Sequence, residues 1–154
     1  MKIYITLGCE PAPEGFERKH IIDLAEIQSS SVDEIIANHV LDKLKHPIHF
    51  FEEVQRILKP EGFMSAQNFY FRNPMAVAHP EVVRPLSEYS FTWCSKEWRE
   101  ANLWAAPATE VNLSVDYGLS VDPSYETRSD EVKAFAQANY AGAISAVHFK
   151  FTKK

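Results

Sequence analysis

The stretch from His46 to Phe71 constrains the fold of this chain most. Pro47 opens a run in which Phe50, Val54, Ile57 and Leu58 recur at helical spacing. Glu52, Glu53, Gln55 and Arg56 fall mostly on the other side. Proline suits a first helical turn, and one apolar stripe suits a helix packed on a core. Lys59-Pro60-Glu61-Gly62 then combines a terminal cation, a proline and a glycine, which together end a helix. Phe63 to Phe71 follows at once as an aromatic-rich strand. A helix feeding directly into a strand implies layered α/β packing.

The flanking segments agree. Lys2 to Leu7 is a β-branched run ended by Gly8, and reads as a buried strand. Pro11, Pro13 and Gly15 make Cys9 to Phe16 a loop. His20 to Leu24 and Val32 to Ala37 are two further strand candidates, and Asn38 to Lys45 is expected to begin a helix. Arg72 to Pro85 holds Pro74, Pro80 and Pro85 and reads as a long loop, of the kind that often serves as a lid. Ser87 to about Trp104 suggests one or two short helices, and Val111 to Leu119 a strand. Ser129 is placed to cap a helix reaching about Tyr140, with Val132, Phe135 and Ala136 on one face. Ala143 to Thr152 closes the pattern as a strand. The expected class is α/β: three αβα layers around a mostly parallel, Rossmann-like sheet with an antiparallel C-terminal strand.

Three of these stretches, in order, carry a family resemblance. Ile5 to Gly15 (ITLGCEPAPEG) resembles a strand running into a Leu-Gly-Cys-Gly-Pro turn. Val32 to Leu44 (VDEIIANHVLDKL) resembles a later strand and the histidine-bearing segment after it. Phe50 to Gly62 (FFEEVQRILKPEG) resembles the helix that ends in Leu-Lys-Pro-Gly-Gly before the next strand. Together they resemble the class I S-adenosylmethionine-dependent methyltransferases, of the type 11-like subgroup. Residues 3 to 92 carry the resemblance well and the remainder loosely. It implies S-adenosylmethionine as cofactor, with Leu7, Gly8, Cys9, Glu10, Asp23 and Asn38 as its contacts. Asn38 and His39 would face the methyl acceptor, and residues 69–86 would supply a lid.

Two departures from the family stand out. Its second glycine is Glu10 here, adding bulk and negative charge beside the cofactor carboxylate. Gly8 and Val32 are also only 24 residues apart, where the full fold places two strands with their crossover helices. Each parallel crossover needs about a dozen residues. One or two strands are therefore expected to be missing, and Asp23 is left as the acid for either the ribose hydroxyls or the adenine amino group. The bared sheet edge calls for cover, and a homodimer is the expectation.

Composition narrows the partners. A formal net charge of −5, with Lys and Arg scattered, lacks the basic footprint of a nucleic-acid binder. No run of 18 apolar residues and no apolar leader after Met1 are present, so neither a membrane span nor export is expected, and the cytosol is the default compartment. Two cysteines, Cys9 and Cys94, suit packing rather than a disulfide framework. His46 and His49 can share a helical face, but no cysteine or carboxylate cluster completes a set of ligands, and no metal is expected. Asp33 starts its strand, away from the crevice, and reads as a surface acid. The functional expectation is a methyltransferase acting on a small molecule or glycan-type metabolite. The alternative is a non-catalytic relic of the fold that works through dimerisation or partner binding.

Overall fold

The structure is a computed structural model and describes residues 1–7 and 11–154. One six-stranded sheet organises it. The strands are β1 (Lys2–Thr6), β2 (Glu17–His20), β3 (Val32–Ile36), β4 (Leu58–Phe69), β5 (Leu113–Val121) and β6 (Ile144–Lys153), in the spatial order β2-β1-β3-β4-β6-β5. β2, β1, β3 and β4 are parallel, and β6 runs antiparallel to both of its neighbours. Among the described residues, the interval before Val32 thus holds one strand after β1, namely β2, rather than two.

The helices are α1 (Pro47–Ile57), α2 (Lys96–Ala101) and α3 (Asp130–Asn139). α1 buries Phe50, Phe51, Val54 and Ile57, the stripe read from the sequence. Phe51 is fully buried, and its ring meets those of Phe50, Phe91, Trp93 and Phe151 at centroid distances of 4.7–5.6 Å. Cys94 lies in this core.

Several elements differ from expectation, each for a local reason. β2 lies earlier than His20–Leu24, because Ile21–Glu26 forms a 3₁₀ turn. Its start is a capping box: the backbone N–H of Ile22 donates to His20 Nδ1, and that of His20 to Asp23 Oδ2 at 3.0 Å. The helix expected from Asn38 is a single 3₁₀ turn, Leu41–Lys43.

The helix stop at Lys59–Gly62 falls inside β4. Val32 pairs with Leu58 and Glu34 with Phe63, so residues 59–62 form a bulge. Pro60, which cannot donate to a ladder, is tolerated there. Glu61 has φ 64°. A Cβ on Gly62 would sit 2.9 Å from the Lys59 carbonyl oxygen, so this position needs glycine. On α3 only Ala136 is buried, while Val132 and Phe135 stand exposed. Trp104 is also exposed rather than packed.

The layers are unequal. One sheet face carries Ile3, Ile5, Ile35, Met64, Ala66, Val147, Phe149, Phe151 and Leu113, all buried. The other carries Lys2, Tyr4, Glu34, Ile36, Phe63, Ser65, Gln67, His148, Lys150 and Asp116, all half-buried or exposed. Burial returns on that face at the carboxyl ends of the strands, at Thr6 and Ala146. Among the described residues no helix is long and apolar enough to cross a membrane.

Candidate cofactor and acceptor site

Strand order locates the crevice. The chain leaves β1 for β2 on one side and returns to β3 on the other, so β1 and β3 are parallel neighbours on either side of a switch in direction. In open α/β sheets, ligands bind outside the carboxyl ends of strands at such a switch. Tyr4 pairs with Ile36, so the segments that continue past them, through Leu7 and through Asn38–His39, emerge side by side.

Leu7 is half-buried and packs against the core. Asp23 spends one carboxylate oxygen on the capping box at the end of β2. Asn38 is exposed, and its Oδ1 accepts the Gln67 backbone N–H at 3.0 Å, tying β3 to β4 just beyond their ladder. Its amide NH₂ lies outside this bond. His39 sits at φ 54°, a left-handed conformation that costs a non-glycine residue about 1–2 kcal/mol. It is held there by its own N–H to the Gln67 carbonyl at 2.8 Å, and its ring lies 4.9 Å from that of Phe69. Strain of this kind gathers at functional sites. Gly8, Cys9 and Glu10 lie outside the described residues.

The loop over this end is anchored. Asn73 caps a 3₁₀ turn, Pro74–Val77, in which Ala76 is buried. The N–H groups of Val83 and Arg84 donate to the Asp42 carbonyl at 2.9 and 3.1 Å. Tyr70, at the end of β4, is buried beside Glu88; burial, then its hydrogen bond to Glu88, pushes the phenol up to about 12.

Asp33 lies at the opposite end of the sheet, with Lys59 Nζ at 2.7 Å and the N-terminal amine as partners. These hydrogen bonds hold its carboxyl near 2. It is the surface acid its sequence position suggested. Two open hollows lie elsewhere, one by Glu52, Arg99 and Glu110 and one by Met1, Lys19 and Ser31, and neither touches the crevice.

Sequence reasoning missed a buried polar pair behind the crevice. Asn68 is fully buried and Asp42 nearly so, and Asn68 Nδ2 donates to Asp42 Oδ1 at 2.9 Å. The signal was present: Asn68 occupies the inward phase of Met64 and Ala66, where an apolar residue is the rule.

Residues 11–66 match the family model described as a methyltransferase domain. No curated protein matches the chain. A SAM-dependent methyltransferase from Archaeoglobus fulgidus is similar in structure at TM-score 0.57 and 11% identity, covering 90% of this chain and 68% of the other. One from Thermotoga maritima gives 0.50 and 14%, covering 90% and 64%. The cyclase SpnF gives 0.50 and 13%, covering 90% and 56%. The chain therefore spans about two thirds or less of these structures' lengths. The cyclase is a reminder that a fold alone does not specify its chemistry. The chain thus has the fold of these structures, and its segment 11–66 is similar to a methyltransferase domain.

Proposed function

We propose that this chain binds S-adenosylmethionine and transfers its methyl group to a small-molecule or glycan-type acceptor. The observation that carries the reading is the meeting of Leu7 and Asn38–His39 at the carboxyl ends of adjacent parallel strands. The residues there suit the cofactor: an apolar wall at Leu7, a carboxylate at Asp23 and an amide at Asn38. Gly8, Cys9 and Glu10 are assigned to it on the sequence resemblance. When bound, the cofactor supplies an electrophilic methyl group on a positively charged sulfur.

The chain's own part is orientation and proton handling. Asn38, tied through Oδ1 to β4, directs its NH₂ toward the ligand. His39, pinned by backbone and by Phe69, presents an imidazole that can take the proton of an acceptor hydroxyl or amine. The loop 72–85, held at Asp42, limits water at the reacting atoms. Orientation of this kind supplies much of the rate in group transfer.

Thermal shift and calorimetry with S-adenosylmethionine and S-adenosylhomocysteine test the reading. Ligand at 100 times its dissociation constant should stabilise the fold by about 2.7 kcal/mol. Gly8→Val should abolish binding, and His39→Ala should retain it while lowering turnover. Absence of any shift at millimolar ligand overturns the proposal.

The proposal extends to a cytosolic homodimer that covers the β2 edge. β2 is a four-residue terminal strand, and Glu17, Arg18 and Lys19 along it suit a polar interface, sensitive to salt. Light scattering that gives only monomer at low and high salt would remove this part.

A further inference from the structure

We infer that Asp42 and Asn68 act as positioning residues, a buried latch that sets the His39 turn and the 83–84 end of the loop in one arrangement. The inference rests on the functional reading above for its purpose, but not for its geometry.

The turn carrying Asn38 and His39 is fastened to β4 at three successive points. Asn38 Oδ1 takes the Gln67 N–H, the His39 N–H reaches the Gln67 carbonyl, and Asp42 Oδ1 takes Asn68 Nδ2. The first two bonds lie at the exposed rim. The third is buried, so it excludes water and holds the far end of the turn. Within the turn, Lys43 Nζ donates to the His39 carbonyl and lies 3.8 Å from Asp42 Oδ1. Asp42 is thus joined through Lys43 to the residue whose left-handed backbone has to be held. On its other side the Asp42 carbonyl accepts both Val83 and Arg84 N–H groups, and the Arg84 side chain reaches the Leu44 carbonyl at 3.5 Å. One residue therefore touches the strand, the histidine turn and the loop.

Asn68 Oδ1 is buried with no hydrogen-bond partner among the described residues. An orphaned buried carbonyl is costly, and an apolar residue there would avoid the cost. Asn68 accordingly serves as a donor aimed at Asp42 rather than as core filling.

Hydrogen–deuterium exchange on the ligand-free full chain tests this without any assumption about the cofactor. Asp42→Ala and Asn68→Ala should each speed exchange about tenfold or more in peptides covering 38–44 and 79–86, while α1 and β6 keep their protection. The double swap Asp42→Asn with Asn68→Asp keeps one donor and one acceptor and should restore it. Asn68→Asp alone, which preserves volume but leaves two carboxylates with no donor between them, reads the same effect if an alanine variant unfolds. In parallel, S-adenosylhomocysteine affinity should fall about tenfold in the single variants and recover in the swap. Faster exchange in the single variants, restored by the swap, with no binding by the wild type supports the latch and overturns the cofactor reading. Wild-type binding with unchanged exchange in every variant overturns the latch and leaves the cofactor reading standing. Loss of protection spread evenly over the chain, not recovered by the swap, also overturns it.

Discussion

The two faces of the sheet come from the same strands and differ in almost everything else. Behind one, Phe51 of α1 locks onto Phe91, Trp93 and Phe151, and the strand positions are aliphatic or aromatic. On the other, Lys2 pairs with Glu34 at 2.7 Å, and Lys150 lies over the Phe63 ring at 4.7 Å. Parallel strands are ordinarily buried on both sides and read as continuous apolar runs. Here they alternate, as strands do in sheets with one wet face. The open face has a surface composition, so the shortened first half is matched by side chains suited to water. Stability belongs to the packed face, and the proposed ligand chemistry to the carboxyl rim where the two meet.

That division can be broken most sharply at Phe51. Phe51→Ala should cost about 3–5 kcal/mol, read by urea denaturation, because it empties the centre of the aromatic cluster. Gly62→Ala comes next, at about 1–3 kcal/mol, since its Cβ would press on backbone carbonyls of Lys59, Val32 and Asp33, which cannot swing away. Tyr70 gives a pH signature. Its phenol titrates near 12 when folded against about 10 unfolded, so the neutral form is favoured by the fold. Its contribution is whole below pH 10 and drains away as pH rises from about 10 to 12. Tyrosinate absorbance should show one late-titrating group, absent in Tyr70→Phe. The smallest effect belongs to the open face: Lys150→Thr should change stability by less than about 0.5 kcal/mol. A loss of 2 kcal/mol or more there would mean that this face is covered after all.

Much of this was legible in the sequence. The α1 stripe and the strand after it followed from spacing, and the antiparallel last strand from the order of elements expected of an α/β chain. The adjacency of β1 and β3 followed from the resemblance. The rest was hidden for physical reasons. A capping box at His20–Asp23 turned an apolar run into a 3₁₀ turn. Residues 59–62 held both a helix stop and a strand bulge, and spacing alone does not separate these. The unequal layers were encoded in Val147-His148-Phe149-Lys150-Phe151, whose alternation is plain once a wet face is considered. The candidate site was legible as segments rather than contacts, since Asp23 spends an oxygen on the neighbouring His20 backbone and Asn38 on that of Gln67 across the sheet, which composition cannot reveal.

Backbone amide chemical-shift mapping with S-adenosylhomocysteine tests the account most directly. Saturable shifts at Thr6, Leu7, Asp23 and Ala37 to His39, with Asp116 and Lys150 on the open face unmoved, are the predicted result. Saturable shifts centred on the open face, or none at millimolar ligand, would contradict it.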